Sequence, residues 1–182
     1  MDSLLVSTLA KLALPAAATL IALVVSRWKG VSWHDDLGLQ RPKARMLVGG
    51  IGLWLAWVAA SEVLIRVYGL DQAKAWPAYP AVILVLRVAA IGLVGPFAEE
   101  LVMRGVLLDR LRRTVLGPVG AIVLTAIGWA GMHYAYGPGT LALVAADGVI
   151  LGFAREKSGS LWVPVAMHAL GNLISIGQSL MP

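Results

Sequence analysis

The chain contains no cysteine, which excludes disulfides, thiolate metal sites and a cysteine nucleophile. Charge is scarce too. Of 182 residues, 14% are Asp, Glu, Lys or Arg and 59% are hydrophobic, whereas a soluble domain holds about a quarter and about half. A soluble globular protein is thereby excluded. Internal repeats and low-complexity tracts are missing, so nothing marks the repeated halves common in transporters. Met1-Asp2-Ser3 lacks a basic n-region, so the first apolar stretch is expected to be a retained helix and not a cleaved signal peptide.

What is present is apolar sequence at membrane-crossing length. Segments run over about 4–26, 46–68, 80–95, 97–113, 117–135, 139–154 and 161–180. They predict an all-α fold, a polytopic membrane helix bundle with about six net crossings, as one integral-membrane domain over 1–182. The formal charge of +5 reads as membrane topology and not as a nucleic-acid surface. Arg27, Lys29, Arg41, Lys43, Arg45, Arg110, Arg112, Arg113, Arg155 and Lys157 are two-thirds of the 15 basic residues, and all fall in or beside three connectors. Those connectors share one side, expected to be cytoplasmic, if 80–95 and 97–113 together make one crossing. Connectors 69–79 and 136–138 then lie on the other side with only Lys74, and the termini face outward.

Residues 80–113 would span about 50 Å as a straight helix, against an apolar core of about 30 Å. Gly95-Pro96 is the expected break, because proline removes a backbone donor and clashes with the preceding turn. The helix after it would begin inside the bundle, with Glu99 and Glu100 near the positive end of its dipole. Such an end needs protein or water around it, so a cavity is expected beside Glu99.

Ionisable groups inside apolar segments cost at least about 2.5–3.5 kcal/mol on insertion scales, so each implies a partner or a task. Three groups stand out. In Phe97-Ala-Glu-Glu-Leu-Val-Met-Arg104, Glu100 and Arg104 are four apart and suited to an ion pair, while Glu99 is rotated about 100° away. In Trp129-Ala-Gly-Met-His133, indole and imidazole are one turn apart, with Gly128 and Gly131 expected to permit close helix approach. In His168-Ala-Leu-Gly-Asn172, two polar groups share one face. Singly, each has a structural reading: a buried Glu–Arg clasp, or interhelical hydrogen bonding by His and Asn. Jointly they supply what amide hydrolysis requires, a base beside an attacking water and donors for the developing oxyanion.

Asp147 belongs to none of these groups and reads as a packing partner of another helix or a bond to a histidine nitrogen. Arg87 is expected to pair with Asp147 or Glu62, or to snorkel outward. Lys11 and Arg66 read as interfacial anchors, His34 as a solvated connector residue, and Trp28, Trp33, Trp76 and Trp162 as an aromatic belt.

In the three grouped motifs the sequence resembles the CPBP family of intramembrane endopeptidases, which includes type II CAAX prenyl proteases and bacteriocin-processing or immunity (Abi) proteins. The family pattern is Glu-Glu-x-x-x-Arg, Phe-x-x-x-His and His-x-x-x-Asn. Glu99, Glu100 and Arg104 match the first and His168 and Asn172 the third; Trp129 replaces the phenylalanine before His133. The motif-bearing core covers about 95–175, and Gly159-Ser160-Leu161-Trp162-Val163-Pro164 and the connector Leu37-Gly-Leu-Gln-Arg-Pro42 are also of familiar type. The resemblance implies a catalytic set of Glu99, Glu100, Arg104, His133, His168 and Asn172. Glu99 acts as general base on a water shared with His133, His168 and Asn172 form the oxyanion hole, and Arg104 holds Glu100. No metal or other cofactor is expected, since no His-Glu-x-x-His helix is present; the alternative is zinc on Glu99, His133 and His168. The implied partners are the lipid bilayer and a peptide or protein substrate, with or without a lipid group, and no nucleic acid. The expected location is a bacterial or archaeal cell membrane. Two other functions compete: a non-catalytic immunity or membrane-assembly factor of the same fold, and a proton-coupled transporter using Glu99, Asp147 and the histidines as a relay.

Overall fold

A computed structural model describes residues 2–71 and 75–181. Its described residues form six helices: α1 Asp2–Trp28, α2 Ala44–Tyr68, α3 Ala81–Leu111, α4 Gly117–Met132, α5 Pro138–Ser158 and α6 Trp162–Leu180. The first, second, third and fifth are long and apolar enough to cross a membrane. α4 is shorter, and the polar residues His168, Asn172 and Gln178 dilute the apolar character of α6. Punctuation is local. Gly69 and Gly159 take left-handed conformations and close α2 and α5 by N–H donation to Ile65 O and Arg155 O. Pro138 opens α5, where its missing N–H has no helical partner in any case.

The interruption at Gly95-Pro96 takes a different form from the one expected. α3 does not end there. It widens into a π-helical turn over Ala90–Val94, continues as α-helix over Gly95–Glu100, and widens again over Leu101–Leu107. Gly95 N–H reaches back five residues to Ala90 O, so the turn before the proline expands and the ring is accommodated without breaking the rod. Glu99 and Glu100 consequently sit mid-helix, away from any positive helix end.

Small residues set the close contacts. A Cβ on Gly148 of α5 would lie 2.8 Å from Ala126 Cβ of α4, and one on Gly152 would lie 2.9 Å from Ile122. A Cβ on Gly92 of α3 would meet Leu173 of α6 at 2.7 Å. Gly128 and Gly131, expected to serve this purpose, have nothing within 4 Å of an added Cβ; the close approach uses the face of α4 bearing Ala126 and Trp129. The core is built by Trp54, Met103, Trp129, Leu151, Val163 and Met167, with a second cluster of Leu37, Leu101 and Leu161. Leu14, Leu20, Ile21, Val48, Val63, Val82 and Ile127 are exposed on the perimeter, as a lipid-facing surface requires.

The two ends of the bundle differ as the charge pattern expects. At one end the first basic connector docks onto the α5–α6 junction: Leu161 N–H donates to Gly38 O at 2.7 Å, Ser160 Oγ to Gln40 O at 2.6 Å, and Gln40 Nε2 to Gly159 O at 2.9 Å. Arg113, beyond α3, pairs with Asp36 of the same connector at 2.6 Å. At the other end Gly137 N–H donates to Asp71 at 2.6 Å, and Trp76 N–H to Ser179 O at 2.8 Å. Lys74 lies outside the described residues.

Candidate active site

Three helices converge on two carboxylates that are adjacent in sequence. Glu100 and Arg104, four apart on α3, are both fully buried and pair at 2.9 Å, as their spacing predicts. His168 of α6 joins them, its Nδ1–H donating to the same Glu100 Oε1 at 2.9 Å, a bond that no spacing along the chain predicts. Arg104 Nη2 donates to Gly148 O of α5 at 3.0 Å. One buried carboxylate thus ties α3 to α6, and its arginine ties α3 to α5.

Glu99 points elsewhere. Half-buried, it accepts a hydrogen bond from the Trp129 indole Nε1–H of α4 at 2.7 Å. The Trp129 ring stands edge-on to both imidazoles, with centroids 5.1 Å from His133 and 5.2 Å from His168, and the Arg104 guanidinium lies 4.9 Å from the ring centre. The indole occupies one flank of Glu99. A cavity of about 240 Å³ lies at the basic end, between Ser26, Val31, Asp36, Val106 and Arg110.

His133 caps the end of α4, its Nδ1–H donating to Trp129 O at 3.0 Å. Since the partners of His133 and His168 only accept, Nδ1 carries the proton in both rings. Nε2 is the second nitrogen of each, and no protein partner for it occurs among the described residues. Asn172 Nδ2 donates to Ile91 O at 2.8 Å. That oxygen is the one Pro96 would have used had the five-residue spacing of the π turn continued, and proline has no N–H to offer. Asn172 therefore satisfies a carbonyl released by the widened turn, and it retains a second amide hydrogen.

The structure gathers Glu100, Arg104 and His168 by direct bonds and reaches Glu99 and His133 through Trp129. Asn172 is one turn along α6 from His168. Among the described residues no three His, Asp or Glu side chains converge to hold a metal ion, so the alternative ligand set of Glu99, His133 and His168 is not assembled. Asp147 accepts from the Trp57 indole of α2 and packs there. Arg87 pairs with neither Asp147 nor Glu62: it donates to Thr8 Oγ1 at 3.1 Å and Ser7 Oγ at 2.8 Å, and lies over the Tyr79 ring. Glu62 accepts from Gln178 Nε2 at 2.8 Å. His34 is exposed beside Asp35, whose carboxyl is held below its ordinary range chiefly by the bond from His34. Gly148 is the member that sequence reasoning missed. Trp129 groups with His133 in the sequence, but its bond to Glu99 on another helix is not readable from spacing.

Over residues 81–174, just over half the chain, the sequence matches the model of a protein family described as Type II CAAX prenyl endopeptidase Rce1-like. No curated protein matches, and no solved structure does.

Proposed function

The chain belongs to the Rce1-like family of type II CAAX prenyl endopeptidases, a family of membrane proteases, and from that premise we propose that it hydrolyses a peptide bond at the membrane by carboxylate-activated water. Glu99 is the general base. Water oxygen attacks the scissile carbonyl carbon as Glu99 takes its proton; the tetrahedral oxyanion then collapses, the C–N bond breaks, and the proton on Glu99 passes to the leaving amine. His133, whose Nδ1–H is engaged by Trp129 O, offers the Nε2 lone pair to the second water hydrogen. His168 and the second amide hydrogen of Asn172 form the oxyanion hole. Glu100 and Arg104 position His168.

The observation that carries this reading is the unequal treatment of two neighbouring carboxylates. Glu100 is fully buried and engaged by a guanidinium and an imidazole, whereas Glu99 is half-buried and meets one neutral N–H. A base must be reached by water to take its proton, and of the two only Glu99 is partly exposed. The substrate class that fits the family is a prenylated peptide ending in the CAAX pattern, presented at the bilayer, with the basic end of the bundle on the cytoplasmic side. The test is cleavage of an internally quenched farnesylated CAAX peptide by detergent-solubilised protein. Wild type should release the C-terminal tripeptide, and Glu99→Gln should lower the rate by about 10²–10⁴-fold, the usual worth of general-base catalysis. Undiminished cleavage by Glu99→Gln, or no cleavage by either protein, would overturn the proposal.

A further inference from the structure

We propose that Trp129 is a positioning residue for hydrolysis: its indole N–H fixes Oε2 of Glu99 so that Oε1 is the oxygen presented to water, and its ring sets the separation of His133 from His168. The inference rests on Glu99 being the base.

Four contacts meet on this one side chain. The N–H bonds Glu99 at 2.7 Å, both faces of the problem are represented by imidazoles at 5.1 and 5.2 Å, and the Arg104 guanidinium lies over the ring at 4.9 Å. The indole is 4% exposed and is seated against Gly148, where an added Cβ would come within 3.3 Å of Cε3. Its position is therefore fixed from the α5 side, and a rigid group can transmit that position to the carboxylate. With Oε2 held, the carboxylate cannot rotate freely, and a base held in one orientation keeps the reacting atoms in line.

Burial alone does not account for the bond. Trp54, equally buried at 4% exposed, has an indole N–H with no partner among the described residues, so this core tolerates an indole without a protein acceptor there. Trp57 makes a bond of the same kind, its N–H donating to Asp147, and that pair joins α2 to α5.

Trp129→Phe keeps an aromatic ring and removes the donor. It should lower kcat on the farnesylated peptide by about 10- to 100-fold, the range expected for a hydrogen bond to a charged group, with KM little changed. In a Glu99→Gln background, Trp129→Phe should cause no further loss. A second readout needs no turnover: the indole N–H resonance of Trp129 in ¹⁵N-labelled protein, assigned by its disappearance in Trp129→Phe, should move in Glu99→Ala. If Glu99→Gln abolishes cleavage while Trp129→Phe cleaves at the wild-type rate, the positioning role is overturned and the base assignment stands. If Glu99→Gln cleaves normally, both fall. A Trp129 resonance indifferent to Glu99→Ala overturns the contact itself, including where Trp129→Phe does not fold.

Discussion

Replacing both members of the Glu100–Arg104 pair should cost less stability than replacing either one. Both side chains are fully buried and meet at 2.9 Å. Removing one partner of a buried ion pair leaves an uncompensated charge and costs about 3–5 kcal/mol, whereas replacing both by apolar groups of similar volume is often neutral or stabilising. Arg104→Met therefore strands the Glu100 carboxylate with His168 alone, and Glu100→Met strands the guanidinium with Gly148 O alone. The double variant strands no charge. It leaves the His168 Nδ1–H and the Gly148 carbonyl without partners, at about 1–3 kcal/mol for each group that stays dry. The intact pair is also imperfectly satisfied, since Glu100 Oε2 and Arg104 Nε have no hydrogen-bond partner among the described residues, which lowers what the double replacement forfeits. At about 2–4 °C per kcal/mol for a chain of this size, each single variant should melt about 10 °C below wild type, with the double variant between. The assay is tryptophan fluorescence during heating in one detergent at one scan rate. A double variant that melts at or below the more stable single variant would refute the argument from stranded charge.

Two further variants test the scaffold. Asn172→Leu should lower stability by about 1 kcal/mol, because it removes the donor to Ile91 O, a half-buried carbonyl; a wild-type melting temperature would show that the widened turn does not need its cap. Gly148→Ala should destabilise by about 1–3 kcal/mol for overpacking, since the new Cβ would sit 2.9 Å from backbone Cα of Ala126, and cleavage should fall with it because Arg104 bonds Gly148 O. Gly128→Ala, with open space at its Cβ, is the matched control, and equal melting of the two alanine variants would reject the packing account.

Helix positions were legible because lipid imposes a one-dimensional rule, apolar runs of fixed length, that needs no knowledge of neighbours. The grouping of connectors at two ends was legible for the same reason, and Asp36–Arg113 and Asp71–Gly137 place the members of each group together. Within the site, relations along one helix could be read from spacing: Glu100 with Arg104, Trp129 with His133. Relations across helices could not. Asn172 shares a face with His168, but its acceptor lies on α3, and only the folded chain shows that Pro96 has left that acceptor vacant. Gly128 and Gly131 misled because a glycine pair shows that a helix can be approached closely, not which face is approached.

The widened turns of α3 resolve a conflict that is written in the sequence. Gly92, Pro96, Glu100, Arg104 and Leu108 recur at strict intervals of four, and all five are buried. An α-helix turns about 100° per residue, so a four-residue repeat drifts about 40° at each step and would be about 160° off its starting face by the fifth member. Glu100 and Arg104 could then face the bundle only if Gly92 or Leu108 faced lipid. Each π turn takes an additional residue into one turn, and one lies on either side of the Gly95–Glu100 segment. The drift is absorbed twice, and the stripe stays on the inner face from the Gly92 contact with Leu173 to Leu108. Glu99, one position off the stripe, is thereby directed toward α4 while Glu100 remains aimed at α6. The separation of a free carboxylate from a clasped one, on which the proposed chemistry depends, follows from the helix adopting the period of its buried residues.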